Sequence, residues 1–370
     1  MSASADANVP LPAKTSERLL IDFWPEIIGK RPIERVLVTS LGRAQLARFV
    51  AETYAHAQVE CYFLDAYLLG LAQKSFDEEA TQPKPENLAW RCSADLIEAP
   101  VVDPAADLDV VALPLTSRGD AELAREQLQQ AYQALKPDGL LLASTDNARD
   151  VWLHEILQDF GGKVRRYDAD DGAVYATRKT GELKRERDFT AEFVFRDGEH
   201  LFTAVTRPGV FSHRRVDPGA RRLMEAMAIT AGNRVLDIGC GWGAVGLAAA
   251  KRAEGGRVTS IDSNARAVAC TIANAERNGI VAQLEARVEP AGSCGEPGTY
   301  DIALANPPYY ADFRIAEAFV QSAHAALRSG GTLLVVTKMP EWYHERLPVL
   351  FGEITSELVK NYTVFGAGKR

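Results

Sequence analysis

The sequence predicts an α/β protein of two tandem, doubly wound, mostly parallel sheets, and three observations predict it. Apolar, β-prone runs alternate with amphipathic stretches of helical length along nearly the whole chain, the pattern of strand–helix–strand crossovers. The chain also repeats itself. "RVLVTSLGRAQLARFVAE" (35–52) resembles "RVLDIGCGWGAVGLAAAK" (234–251), and "DLDVVALPLTS…AYQALKPDGLLLAST" parallels "YDIALANPPYY…AHAALRSGGTLLVVT". Finally, the stretch between the two copies changes character, with β-prone "FTAEFVF" and "HLFTAVT" flanking "RDGE", a hairpin signal.

The elements follow in order within each copy. An apolar strand runs into a loop and helix, then a second strand. Later come an Asp-led strand, a long amphipathic helix and "ALKPDG" or "ALRSGG" before another strand. Right-handed crossovers of this kind cover both faces of a parallel sheet. The offset between copies is 199 residues at Val36/Val235 and 192 at Gly139/Gly331, a drift that loops absorb. The boundary is placed near residue 183, giving domains 1–182 and 183–370, with the hairpin introducing the second.

Composition narrows the setting. The 370 residues are 46% apolar and 25% charged, ordinary for a globular protein of two domains. No apolar run approaches the roughly 18–20 residues that span a bilayer, and "MSASADANVPLPAK" lacks the basic-then-apolar order of a secretory signal, so a cytoplasmic protein without membrane contact is expected. The five cysteines, Cys61, Cys92, Cys240, Cys270 and Cys294, form no C-x-x-C pair and have no histidines at ligand spacing; they read as packing residues, with no metal site. A net charge of −8 argues against a generally cationic nucleic-acid binder but leaves room for a local basic face.

The chemistry is unequally divided between the copies. In the second, an apolar strand ends in Asp237 before Gly239, Gly241 and Gly243, and a helix follows. Glycines in such a turn let a ligand approach the backbone closely and present helix N-terminal amides to it. The next strand, "RVTSID", ends in Asp262, whose carboxylate can accept both hydroxyls of a ribose, in a nicotinamide or an adenosyl cofactor alike; Asp262 could also cap the helix after it. "LANPPYY" follows the fourth strand, "YDIALA", and so lies at the carboxyl edge where open α/β sheets bind ligands. The Asn306 side-chain oxygen and the Pro307 carbonyl can accept from opposite sides of an amino group, freeing its lone pair for attack on a sulfonium methyl. The prolines hold the geometry rigid, and Tyr309 offers a ring on which a planar base can stack.

At these residues the chain resembles a known family. "VLDIGCGWGAVGL", "IDSN", "LANPPYY" and "GGTLLVVTK" are similar to the glycine loop, ribose acid, catalytic motif and fifth-strand region of class I S-adenosylmethionine-dependent N-methyltransferases. "RPGVFSHRRVDPGARRLMEAM" and the degenerate first repeat narrow the resemblance to bacterial ribosomal RNA guanine-N2 methyltransferases of the small or large subunit. The resemblance is strong from residue 207 onward and rests on architecture before about 183. It implies two tandem Rossmann-like methyltransferase domains, the N-terminal one degenerate, and S-adenosyl-L-methionine as cofactor. It implies that Asp237, Gly239, Cys240, Gly241 and Gly243 line the methionine end, that Asp262 and Ser263 hold the ribose, that Glu289 falls where an adenine contact is usual, and that Phe211 lies over the cofactor. Asn306, Pro307, Pro308 and Tyr309 would hold the guanine amino group.

The implied partner is ribosomal RNA or a ribosomal subunit assembly particle, and a monomer is expected. Tyr309 stands where the family commonly has Phe, which keeps adenine N6 and protein glutamine open as alternative acceptors. A non-catalytic RNA-binding protein is the reading from another class, disfavoured because the glycine loop, Asp262 and Asn306 have no use in a passive binder.

The first copy lacks these groups. By the same offsets Asp262 corresponds to Phe63 and Asn306 to Pro114, and the loop "TSLGRAQ" holds one glycine and follows no strand-ending Asp. Asp65 reads as a helix cap or surface acid. This copy is expected to place RNA or to support the second. Arg207, His213, Arg214, Arg215, Arg221 and Arg222, with Lys184, Arg185 and Arg187, are candidates for phosphate contacts or for a solvated face.

Overall fold

The structure, a computed structural model, describes residues 12–78, 83–97, 108–290, 293–308 and 313–370. The chain divides into two compact units. One comprises Met1–Phe63, Leu68–Arg91 and Leu96–Arg187; the other comprises Leu64–Tyr67, Cys92–Asp95 and Asp188–Arg370. The principal division thus falls between Arg187 and Asp188, and two short segments of the first half of the sequence belong to the second unit.

The first half of the chain runs α1 (Thr15–Ile28), β1 (Arg35–Thr39), α2 (Gln45–Thr53), β2 (Gln58–Phe63), α3 (Ala66–Glu78), β3 (Leu88–Cys92), β4 (Leu108–Leu115), α4 (Ala121–Ala134), β5 (Leu135–Thr145), α5 (Trp152–Asp159), β6 (Arg165–Ala169) and β7 (Gly172–Arg178). The second half runs β8 (Ala191–Asp197), β9 (His200–Thr206), α6 (Pro218–Ala226), β10 (Arg234–Ile238), α7 (Ala244–Arg252), β11 (Arg257–Asp262), α8 (Ala265–Arg277), β12 (Leu284–Val288), β13 (Tyr300–Ala305), α9 (Arg314–Ala326), β14 (Leu327–Thr337), α10 (Pro340–Leu350), β15 (Ile354–Val359) and β16 (Tyr362–Gly368).

Each half builds a seven-stranded sheet of the same topology, β3-β2-β1-β4-β5-β7-β6 and β12-β11-β10-β13-β14-β16-β15. The repeat read from the sequence is therefore a repeat of register. Val36 pairs with Val110 on parallel β1 and β4, and Val235 with Ile302 on parallel β10 and β13; offsets of 199 and 192 carry one pair onto the other. The last two strands of each sheet join antiparallel. The expected hairpin is β8–β9, turning through the two residues Gly198 and Glu199 with Asp197 still paired to His200.

Alternation along the strands sends side chains to two cores in the second unit. Val235, Ile302 and Leu304 join the residues of α6, α7 and the hairpin, whereas Leu236, Ile238, Ala303 and Ala305 join those of α9 and α10. Asp237 therefore points to the α7 side, and it is 3% exposed. Helix α7 lies close on the sheet at Gly246, where a Cβ would stand 2.5 Å from Ser260 Oγ and 2.9 Å from Asp237 Oδ2. Truncating a fully enclosed strand residue such as Leu236 to Ala would cost about 2–5 kcal/mol. Among the described residues no helix is long and apolar enough to cross a membrane. All five cysteines are free thiols; Cys61, Cys240 and Cys270 are buried, and Cys92 and Cys294 are half-buried.

Candidate active site

Register builds the site. Strand β10 lies between β11 and β13, with Ile238 paired to Ile261 on one side and to Ala305 on the other. The residue after each of these is Gly239, Asp262 or Asn306, so the three stand in a row along the carboxyl edge of the sheet. Adjacent strands lie about 4.8 Å apart, so the row spans roughly 10 Å.

The loop after β10 requires its glycines. Gly239, Gly241 and Gly243 have φ of +72°, +56° and +94°, the left-handed region that side chains disfavour. Gly239 has a second reason, since a Cβ there would lie 2.7 Å from the Phe319 ring. The loop amides are not simply left open to a ligand as expected. Gly239 and Cys240 both donate to the Ile261 carbonyl at 2.8 and 3.0 Å, and Gly241 donates to Asp262 Oδ2 at 2.9 Å. Buried donors are satisfied internally, and here β11 supplies the acceptors. Cys240 is buried with Sγ 3.5 Å from Thr271 Oγ1, and burial pushes its thiol well above the usual range.

Asp262 accepts from Gly241 through Oδ2 and from the Asn264 amide through Oδ1, both at 2.9 Å. It does not cap α8; that role falls to Asn264, whose side chain accepts from Arg266 and Ala267. Burial raises the Asp262 carboxyl to about 6, against the backbone hydrogen bonds that lower it, and Asp65 raises it further. Ser263 donates to Asp65 Oδ2 at 2.9 Å, and Asp65 Oδ1 accepts from Tyr67 N at the start of α3, so Asp65 is cap-like, as one of its expected roles had it. Asp237 is raised to about 7, first by burial and then by Asp262, against the lowering bond from the Gly246 amide. Its carboxylate faces the start of α7 and Ser260 Oγ, at 3.5 Å, and so ties β10, β11 and α7 together.

A cavity beside this loop is lined by Ile238, Gly239, Ile261, Asp262, Glu289 and Phe319, among others. Glu289 thus stands at the same cavity as Asp262. Its backbone amide donates to the Asp262 carbonyl at 3.0 Å, and its carboxylate accepts from the Ser293 hydroxyl. Phe319, on α9 and 9% exposed, is a lining residue that sequence reading missed; an aromatic on an amphipathic helix face carries no local mark distinguishing it from core.

Asn306 follows β13 and is half-buried, with Pro307 buried and Pro308 half-buried behind it. Its Nδ2 donates to Asp217 Oδ2 at 2.9 Å. Asp217 is the N-cap of α6 and accepts from Ala220 N at 3.0 Å, with Pro218 at the first helical position. "DPGA" marks a helix start in the sequence, but nothing local pairs Asp217 with a residue 89 positions away. Tyr309 lies outside the described residues. Phe211 is 65% exposed, on a loop whose carbonyl at Phe211 lies near Gly241.

The basic cluster is partly committed. Arg207 pairs with Asp95, Nη1 to Oδ2 at 3.0 Å, and Arg222 pairs with Glu225. His213 Nδ1 shares a hydrogen bond with Thr206 Oγ1 at 2.8 Å. Arg215 and Lys184, Arg185 and Arg187 are exposed.

The first unit has the same edge with other residues. Ser40, Phe63 and Pro114 hold the positions of Gly239, Asp262 and Asn306. The Glu17 carboxylate, from α1, accepts from Leu46 N and Ser40 Oγ, both at 3.2 Å, at the start of α2. Glu17 is 1% exposed, and burial raises its carboxyl.

A family model for the methyltransferase small domain matches residues 202–365. The ribosomal RNA small subunit methyltransferase C of Chromohalobacter salexigens is 35% identical over 161 residues, 41% of this chain and 47% of that protein. That match thus spans about half the length of the relative. The protein of the same name from Pseudoalteromonas atlantica is 30% identical over 239 residues, 61% of this chain and 68% of that protein. Among solved structures, the Thermus thermophilus 16S rRNA N2 G1207 methyltransferase in complex with AdoMet and guanosine aligns with a TM-score of 0.75 at 23% identity, over 96% of this chain and 92% of that one. It shares the fold.

Proposed function

We propose that this chain, which belongs to the family of the ribosomal RNA small subunit methyltransferase C proteins, transfers a methyl group from S-adenosylmethionine to the exocyclic N2 amine of a guanine in ribosomal RNA. The observation that carries the reading is the row Asp262, Gly239, Asn306 on one sheet edge, which sets a ribose acceptor and an amine acceptor on either side of a side-chain-free turn.

The residues fit the cofactor. A carboxylate has about four acceptor positions, and Asp262 spends them in part on the Gly241, Asn264 and Ser263 amides, leaving capacity for a ribose hydroxyl. Ile238, Ile261 and Phe319 offer apolar walls for an adenine ring in the adjacent cavity, and Glu289 an acceptor for its amine. The glycine turn lets the methionine portion approach the backbone. Cys240 is a buried packing group there, and Ser263 steadies the Asp262 turn through Asp65. Bound S-adenosylmethionine supplies an electrophilic sulfonium methyl.

This chain's own residues prepare the nucleophile. Asn306 Oδ1 and the Pro307 carbonyl accept the two hydrogens of the guanine amine, which turns its lone pair out of conjugation and toward the methyl group. The same acceptors would stabilise the positive charge that develops on the nitrogen as it takes the methyl group, until one of its protons passes to water. Pro307 and Pro308 hold these oxygens in place, and Tyr309 is assigned the stacking surface. The target guanine must be unpaired or flipped to present that edge. Exposed Arg215, Lys184, Arg185 and Arg187 supply phosphate contacts, on naked RNA or on a subunit assembly particle.

The first unit does not bind the cofactor in this reading. Phe63 and Pro114 replace the two key acceptors, and Glu17 already occupies the amide at the start of α2. Its role is RNA placement or support.

The test is direct. Incubate the full chain with labelled S-adenosylmethionine and, separately, RNA, DNA and protein from a strain lacking the gene, and identify the modified product by mass. N2-methylguanosine in ribosomal RNA, lost in Asn306→Ala, is expected. Label in N6-methyladenosine or in glutamine overturns the guanine assignment.

A further inference from the structure

The reaction just described needs the Asn306 amide in one of its two orientations, with oxygen toward the substrate. An asparagine side chain can present either its oxygen or its NH2 by rotating half a turn, and the two faces are nearly the same shape. Only the oxygen can receive a hydrogen from the target amine. An NH2 group turned that way would meet it donor to donor.

Asp217 decides between the two. Its carboxylate can only accept, so it takes the Nδ2 hydrogen of Asn306 at 2.9 Å and would repel Oδ1 in the flipped orientation. The carboxylate is itself held: the Ala220 amide donates to the same Oδ2 at 3.0 Å, and Pro218 constrains the turn into α6. Among the described residues no donor is hydrogen-bonded to Asn306 Oδ1. Gly219 keeps the space clear, since a Cβ there would stand 2.8 Å from Asp217 Oδ2 and 2.9 Å from Asn306 Oδ1. The start of α6 therefore clasps one end of the amide and leaves the other end open.

We infer that Asp217 is a positioning residue for methyl transfer: it fixes the Asn306 amide with Oδ1 toward the acceptor amine, and Gly219 is the small residue that lets it do so. This rests on the methylation reading above. Asp217 contacts neither the cofactor cavity nor, in this role, the reacting atoms. Its influence falls on kcat and not on cofactor affinity.

The experiment compares D217S, D217N and G219A with wild type in the full chain. Ser is as good an N-cap as Asp, so D217S keeps α6 while its shorter side chain withdraws the acceptor from Asn306 Nδ2; D217N keeps an oxygen that can take both the Ala220 and the Asn306 hydrogens. G219A keeps the cap and the carboxylate and instead crowds the amide; Ala also favours the helix. D217S and G219A are each expected to lower kcat about 10- to 100-fold, the cost of misplacing a catalytic group by about 1 Å, with cofactor Kd near wild type; D217S should also melt near wild type, whereas G219A, whose Cβ must displace its neighbours, melts lower. D217N should recover most of the kcat that D217S loses.

A D217S or G219A enzyme with wild-type kcat overturns the positioning role, as does a D217N enzyme no faster than D217S. None of these results touches the methylation reading, which fails only if wild type does not methylate guanine or if Asn306→Ala does.

Discussion

Asp262 and Asn306 close the strands on either side of β10, and only the turn that begins at Gly239 separates them along the sheet edge. In the proposed function one governs cofactor binding and the other amine chemistry, and the two functions should separate by mutation. Asp262→Ala is expected to weaken S-adenosylmethionine binding by about 10- to 100-fold, the loss of a hydrogen bond to a charged acceptor at about 1.5–3 kcal/mol less what water restores. Asn306→Ala should leave that Kd within about threefold while abolishing turnover. Calorimetric titration and a methylation assay on both variants check the split.

Cofactor affinity should depend on pH through the same carboxyl. Burial raises Asp262 to about 6, and accepting a hydroxyl favours its ionised form. The cofactor Kd is expected to rise up to tenfold per unit as pH falls below about 6, and to level off above about 7. Titrations from pH 5 to 8 would show this, and Asp262→Asn should flatten the dependence.

Stability carries the opposite signature at Asp237. Its folded carboxyl, raised to about 7 by burial from the ordinary 3.8, binds its proton more tightly folded than unfolded. The stability this contributes is complete below about pH 4 and is lost as pH rises through about 7. Asp237→Asn, which cannot ionise, should therefore gain on wild type steadily between pH 4 and 8, as measured by urea unfolding at each pH.

Gly239→Ala meets two obstacles, a φ of +72° and the Phe319 ring 2.7 Å from the new Cβ. A loss of about 1–3 kcal/mol is expected. Adding Phe319→Ala should relieve the contact but not the backbone strain, so the double variant recovers only part of what the single one loses. Denaturant midpoints of the three proteins decide it.

In the first unit, Glu17→Ala removes a buried carboxylate that satisfies the Leu46 amide and Ser40. About 1–3 kcal/mol of stability should go with it, the cost of leaving a buried donor unpaired. Cofactor Kd should not change, because the proposed cofactor edge lies on β10, β11 and β13. A changed Kd would place cofactor chemistry at that first edge.

By itself the sequence determined the architecture and the outline of the site. Strand–helix alternation is a local pattern, and so is a repeat with offsets of 199 and 192, so two parallel, doubly wound sheets were legible before any coordinates, whereas the pairing of β10 with β11 and β13 came from the structure. The glycines of the turn, Asp262 after β11 and Asn306 after β13 were legible for the same reason, since each sits at a strand end that hydrophobic patterning locates. Only the tertiary structure decided what those groups touch. Asp262 ties down the glycine loop while Asn264 caps α8, Arg207 is engaged by Asp95, and Phe319 fills the space beside Gly239. The amide of Asn306 is turned by Asp217, 89 residues earlier in the chain. Such pairings depend on how helices dock on the sheet, to within an ångström or so, and no periodicity along the chain encodes a distance across it.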